Sequence, residues 1–102
     1  MKARFVLAPQ AAIDLAEIWR YIKSQSSVGM ADHVESVIRD KFVFLAQSPE
    51  AGHYRRNLTN EEVKFFPVYS YLIVYRSATK PLQIVAIVHG RRDVEQVLRG
   101  RL

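Results

Sequence analysis

The sequence of 102 residues is long enough for one domain with a single core, and we expect one domain over residues 1–102. Hydrophobic residues make up 49% of it and cysteine is absent, which excludes disulfides, thiolate metal sites and a cysteine nucleophile. The net charge of +5 lies wholly in residues 51–102, where nine basic side chains outnumber four acidic ones, and this asymmetry is typical of a surface that faces nucleic acid or an acidic protein.

The first half of the chain predicts a short strand followed by two helices. A strand over residues 3–8 ends at Pro9, which fits the first turn of a helix. Two apolar stripes with helical spacing follow, separated by a polar turn in which Ser26 or Ser27 can cap the second helix. The second helix ends before Pro49. The stripes consist of Ala11, Leu15, Ile18, Trp19 and Ile22, and of Ala31, Val34, Ile38, Phe42 and Leu45.

Beyond Gly52 the apolar period changes from 3.6 to two, which predicts strands at 63–68, 69–76 and 82–89. Pro67 indicates that the first of these lies at a sheet edge, contains a bulge or ends there. The nearly continuous apolar run of the last predicts a central strand covered on both faces. Residues 93–98 predict a short final helix. The order β-α-α-β-β-β indicates an α+β fold with an α-hairpin packed on a small, mainly antiparallel sheet.

No segment is suited to a membrane or to export. The longest apolar stretch of the second half, residues 84–88, is far shorter than the roughly 20 residues that span a bilayer. The apolar run that follows the first basic residues stops at Pro9, too early for the core of a secretion signal. We therefore expect a cytoplasmic protein that makes no membrane contact.

Two basic clusters are candidate sites. Residues 53–57 (HYRRN) combine basic and aromatic side chains, which can hold a phosphate and stack a base or can form an ordinary solvated loop. Residues 89–93 (HGRRD) follow the predicted central strand, whose backbone would hold them in place. There His89 can donate a proton near neutral pH and Arg91 or Arg92 can neutralise a phosphate, or all three can have local structural roles.

Familiar catalytic motifs are missing, among them a glycine-rich phosphate loop, Gly-x-Ser-x-Gly and His-Glu-x-x-His. The histidines lie far apart in the sequence, so we expect no metal site and no cofactor. Three tyrosines alternate along one predicted strand and are expected to share its helix-facing side: Tyr69, Tyr71 and Tyr75.

Three blocks, read together, resemble the RelE/ParE superfamily of bacterial toxins, and its ParE branch in particular. They are residues 12–22 (AIDLAEIWRYI), residues 45–52 (LAQSPEAG) followed by two arginines, and residues 71–76 (YLIVYR) running on to 87–93 (IVHGRRD). The resemblance covers nearly the whole chain and implies the same β-α-α-β-β-β fold. It also implies the toxin of a type II toxin–antitoxin (plasmid stabilisation) system, bound by a cognate ParD-like antitoxin in a hetero-oligomer.

The resemblance implies one of two activities. ParE-like toxins poison DNA gyrase and block replication, whereas RelE-like toxins cleave mRNA on the ribosome. RelE-like nucleases often use a tyrosine near the C-terminus, but this chain has none after Tyr75, and a glycine follows His89. A metal-independent nuclease also needs an acid–base pair and cations around the phosphate. Here those groups would be His89 with Arg55, Arg56, Arg76 and Arg91.

We therefore expect a gyrase-directed toxin without intrinsic catalysis, in which Arg91 and Arg92 contact the target. The alternatives are a ribosome-dependent endoribonuclease and an inactive antitoxin-binding module. An antitoxin would place a helix in a groove and an extended segment on a sheet edge. The candidate contacts on the first helix, part core and part groove, are Leu15, Trp19 and Ile22.

Overall fold

The computed structural model describes residues 4–102, so the predicted strand residue Ala3 lies outside the described part. The element order is the predicted one, with a 3-10 helix at Pro49–Ala51 and a short helix after the last strand. The elements are β1 (Phe5–Leu7), α1 (Pro9–Gln25), α2 (Val28–Gln47), β2 (Lys64–Val68), β3 (Tyr71–Arg76), β4 (Leu82–His89) and α3 (Val94–Arg99).

The α-hairpin forms as the apolar stripes predict. Pro9 begins α1 at a position where its missing N–H removes no helical hydrogen bond. Ser27 caps α2, because its hydroxyl accepts a hydrogen bond of 3.0 Å from the Met30 backbone N–H. The two helices pack on one face of the sheet through a core that includes Leu15, Ile38 and Phe42.

The four strands form one sheet in the order β1-β4-β3-β2. β1 runs parallel to β4, and the other neighbours are antiparallel. β2 lies at the edge, which is one of the three alternatives that Pro67 allowed. β4 is an inner strand that is covered on both faces, as its apolar run predicted. Ile84 and Ile87 pack in the core under α1 and α2, whereas Ala86 and Val88 pack in a second core with α3.

A bulge in β4 changes which residues face the α-hairpin. Val74 pairs with Ala86 but Tyr75 pairs with Ile84, so Val85 has no partner on β3. Because an extra residue reverses the alternation of side chains, the residue beyond the bulge that faces the α-hairpin is Ile87.

The tyrosine prediction is only partly right. Tyr71 and Tyr75 lie on β3 and pack toward the α-hairpin core. The prediction is wrong for Tyr69, which lies in the turn between β2 and β3 with a φ of 53°. The tight turn takes two residues from the predicted strand, because Val68 already pairs with Tyr71. Within residues 4–102, no helix combines the length and apolar character needed to cross a membrane.

Candidate functional site

The site lies where β4 leaves the sheet. His89 ends β4, and its ring packs edge-on against Tyr71 with 5.4 Å between the ring centroids. Its Nδ1 accepts a hydrogen bond of 3.1 Å from the backbone N–H of Arg91. The next residue, Gly90, donates its N–H to the Ser70 carbonyl at 2.8 Å. These contacts set the direction of the chain after the strand. They also occupy Nδ1 of the His89 ring as a hydrogen-bond acceptor.

Arg91 and Arg92 follow this turn and point into solvent. Both are exposed, and neither forms a salt bridge within the described residues. Asp93 is not their partner, because its side chain caps α3 by accepting a hydrogen bond of 3.2 Å from the Gln96 N–H. The two guanidinium groups are therefore available to an anion or to an acidic protein surface.

A shallow cleft joins the two basic clusters of the sequence. It has a volume of about 440 Å³ and lies at the β2–β3 turn, where the loop after the α-hairpin approaches the start of α3. Arg55 from the first cluster and Arg92 from the second both line it. The same cleft contains the Tyr69 turn residue and two acidic side chains, Asp93 and Glu95.

The rest of the first cluster is engaged in local contacts. Arg56 donates to the Asn60 carbonyl and to a Glu62 carboxylate oxygen, both at 3.0 Å, and its guanidinium lies 4.6 Å from the Tyr54 ring centroid. Lys64 also lies near that ring and is 3.2 Å from Glu50. The backbone of His53 forms an isolated bridge with Phe65, which ties the loop to β2. Arg55 thus remains the cation of this cluster that has no ion-pair partner in the described structure.

The residues of the nuclease hypothesis are not gathered at one place. His89 pairs with Tyr71 at one end of β3, whereas Arg76 pairs with Gln83 at the other end. Tyr71 and Arg76 are five residue steps apart along β3, which corresponds to about 17 Å. The Arg56 guanidinium donates to the Glu62 carboxylate. Arg91 contacts His89 through its backbone N–H, which donates to Nδ1 of the ring. Among residues 4–102, no three His, Asp or Glu side chains come together as a possible metal site.

The candidate antitoxin contacts on α1 differ in exposure. Leu15 is only 2% exposed and belongs to the core, so it presents almost no surface to a partner. Trp19 is partly exposed, and its indole N–H donates to Asp32 on α2 at 2.8 Å. Ile22 is also half-buried at the side of the core. Trp19 and Ile22 are the two of the three that offer apolar surface.

An ion pair between Asp14 and Arg101 lies beside this region and was not predicted. Arg101 donates to both carboxylate oxygens of Asp14, and one of these oxygens also accepts the Ile87 N–H at 3.0 Å. Because the two residues are 87 positions apart, no sequence periodicity connects them. A cavity of about 360 Å³ adjoins the pair, between α1, β4 and α3, and is lined by residues that include Ile18, His89 and Val97.

The comparisons with known proteins agree with this architecture. The family model described as "ParE toxin of type II toxin-antitoxin system, parDE" matches residues 5–94. A solved structure described as "Chromosomal ParDE TA system from P. aeruginosa" superposes with a TM-score of 0.72 and 20% sequence identity. The match covers 83% of this chain and 92% of that one. Comparison with curated protein sequences gives no significant match.

Proposed function

The chain belongs to the family of ParE toxins of type II toxin–antitoxin systems, and from this membership we propose that it inhibits DNA gyrase and thereby blocks replication. The match over residues 5–94 carries the proposal, because the fold by itself does not choose an activity. In this proposal a cognate antitoxin binds the toxin and neutralises it.

The arrangement of cations supports a toxin that acts by binding. Phosphoryl chemistry without a metal requires an acid, a base and cations within reach of one phosphate. Here Arg76 lies at one end of β3, whereas His89 of β4 pairs with Tyr71 at the other end, and Nδ1 of His89 accepts the Arg91 N–H. No step of catalysis is therefore assigned to these residues.

The proposed target surface consists of Arg91 and Arg92 together with Arg55 across the cleft. These three cations have no ion-pair partner within residues 4–102, and they belong to the basic half of the chain. A patch of net positive charge attracts an acidic partner over several ångströms and speeds its association. Three of the nine basic side chains of the second half thus belong to this surface.

The proposed antitoxin surface lies along α1 and the neighbouring edge of β4. β1 pairs with β4 only from Leu82 to Ile84, and in the later part of that edge Asp14 and Arg101 bond the Ile87 N–H and the Val85 carbonyl. The adjoining cavity and the partly exposed Trp19 and Ile22 provide apolar surface near this edge. The apolar groove suits an amphipathic helix, whereas an extended segment would have to displace the contacts of Asp14 and Arg101 to pair with this edge.

The test is a gyrase assay with purified toxin that has been refolded free of antitoxin. We expect loss of supercoiling and accumulation of linear, cleaved DNA as the toxin concentration rises, and reversal when the cognate antitoxin is added. Absence of any effect on gyrase by a protein that arrests growth in cells would reject gyrase as the target. Mapping of transcript 5′ ends would then test ribosome-dependent cleavage, which predicts cuts within translated codons.

A further inference from the structure

The two-residue turn between β2 and β3 contains a residue of an unexpected type. Val68 pairs with Tyr71, so Tyr69 and Ser70 form the turn, and Tyr69 has a φ of 53°. A positive φ at the first position of such a turn favours glycine or asparagine, because a bulky side chain is strained there. It is the sole residue other than glycine with a positive φ among residues 4–102.

Packing within the molecule does little to offset this strain. The side chain is 59% exposed, and its hydroxyl has no hydrogen-bond partner in the described structure. By contrast, Tyr75 on the same hairpin is fully buried and forms two hydrogen bonds. Residues whose backbone is strained, and whose side chains gain no packing contacts that offset the strain, are concentrated at functional sites.

The surroundings of Tyr69 are those of a protein-binding surface. The residue lines the cleft that also contains Arg55 and Arg92. The carboxylates in that cleft are occupied, since Asp93 accepts from Gln96 and Glu95 pairs with Arg99. An exposed tyrosine beside two unpaired arginines has the composition of an interaction hot spot.

We propose that Tyr69 is the anchor of the target surface, with its ring entering a pocket of an acidic protein partner whose carboxylates pair with Arg55 and Arg92. This inference deepens the proposed function and rests on it in naming gyrase as that partner. A protein suits the cleft better than a nucleic acid, because the apolar side chains of Leu58 and Pro67 line it together with the two arginines.

The experiment compares Tyr69→Asn with Tyr21→Asn in the full chain. Asparagine tolerates a positive φ, so Tyr69→Asn relieves the strain while removing the ring. Tyr21 is 61% exposed on α1 and does not line the cleft, which makes it a control of similar exposure. Thermal unfolding, growth arrest on induction without antitoxin, and binding to purified gyrase are measured for both variants and for the wild type.

We expect Tyr69→Asn to abolish growth arrest and weaken gyrase binding about tenfold or more. Its Tm should not fall, and it should rise by up to about 4 °C as the turn strain is relieved. Tyr21→Asn should retain growth arrest and gyrase binding. Loss of function together with retained or increased stability is the combination that a residue kept only for folding does not produce.

Every other outcome either overturns or supports the proposal that Tyr69 anchors the target surface. The proposal that Tyr69 is an anchor would be overturned if Tyr69→Asn still arrested growth or if its Tm fell by several degrees. It would also be overturned if the wild-type protein did not arrest growth. Binding to a single-stranded oligonucleotide that depends on Tyr69 would overturn it too, because the partner would then be a nucleic acid. If growth arrest depends on Tyr69 but the wild type does not bind gyrase, the proposal of gyrase inhibition fails and the anchor is supported.

Discussion

Asp14 on α1 and Arg101 after α3 form an ion pair that joins the α-hairpin to the other side of the sheet. Nη1 of Arg101 lies 3.0 Å from Oδ2 of Asp14, and the same carboxylate oxygen accepts the Ile87 N–H. Nη1 is also 3.4 Å from the Val85 carbonyl. β1 does not extend past its pairing with Ile84, so these side chains satisfy backbone groups of β4 that a longer strand would otherwise pair.

Replacing Arg101 by alanine should destabilise the fold. The variant leaves a mostly buried carboxylate with one backbone donor, and loss of one member of such a pair costs about 3 kcal/mol. Urea unfolding measures the change. Arg99→Ala is the control, because its pair with Glu95 is exposed and is worth at most about 0.5 kcal/mol. Equal losses of unfolding free energy in the two variants would show that the pair of Asp14 with Arg101 stabilises the fold no more than an exposed ion pair does.

Tyr75→Phe should also lower the free energy of unfolding. The buried Tyr75 hydroxyl donates to the Pro49 carbonyl and accepts from the Gly52 N–H, both at 2.8 Å, which ties the end of the α-hairpin to β3. Phenylalanine keeps the ring but leaves both backbone groups unpaired, at a cost of about 1–3 kcal/mol. Tyr21→Phe, on an exposed ring, should change nothing measurable. An unchanged urea midpoint for Tyr75→Phe would contradict the role of the hydroxyl.

Stability should decline in alkaline solution because of the same tyrosine. Burial raises the pKa of the Tyr75 phenol above its ordinary value of 10.0, although the charge of Lys64 acts in the opposite direction. The folded state therefore favours the neutral phenol. This contribution is complete below pH 10.0 and is lost as the pH rises through the folded-state pKa.

The free energy of unfolding, measured by urea at pH values on both sides of 10.0, should fall more steeply for the wild type than for Tyr75→Phe. Some decline should remain in the variant, because burial also raises the pKa of Tyr71. Parallel pH profiles for the two proteins would show that Tyr75 does not control the alkaline decline.

The two serines between the helices provide a matched test of capping. Ser27→Ala removes the acceptor for the Met30 N–H and should cost about 1 kcal/mol. Ser26→Ala changes a neighbouring exposed serine whose side chain has no capping role, so its effect should be within about 0.5 kcal/mol. Urea unfolding of the pair measures the difference. A larger loss for Ser26→Ala would place the cap one residue earlier.

The double variant Arg91→Ala/Arg92→Ala should lose growth arrest while remaining folded. Both side chains are exposed and make no salt bridge in the described structure, so their removal should change the free energy of unfolding by less than about 0.5 kcal/mol. The measurement is growth after induction without antitoxin, together with circular dichroism of the purified protein. Full toxicity in the folded double variant would exclude these arginines from the target surface.

A control with the same loss of charge is Arg39→Ala/Lys80→Ala. Arg39 lies on α2, and Lys80 lies in the turn before β4, at the end of the sheet away from the cleft. This variant should keep its toxicity. If it loses toxicity as well, the net charge of the protein rather than the position of Arg91 and Arg92 controls the effect.

Much of the architecture follows from local patterns in the sequence. The helical stripes, Pro9 and the serine turn predict the α-hairpin with its ends, and Ser27 is one of the two caps expected. Pro67 is compatible with the edge position of β2, and the apolar run at 82–89 predicts the central strand. These features are readable because propensity, capping and alternation act over a few residues.

Other features come only from contacts between distant parts of the chain. The bulge at Val85 cannot be predicted from the sequence, because the run around it is apolar on both faces of the strand and the alternation of side chains gives no sign of an extra residue. The turn that removes Tyr69 from β3 depends on the register of β2, and the pairing of Asp14 with Arg101 depends on where β1 ends.

The elements, their order, the basic second half and the resemblance to ParE toxins can all be read from the amino-acid sequence. Three features are visible only in the folded protein: Arg55 and Arg92 share one cleft, Tyr69 lies between the strands rather than on one, and Leu15 is core rather than surface. Strand register, bulges and ion pairs are set by packing across the whole fold, so no local sequence pattern indicates which distant residues will be in contact.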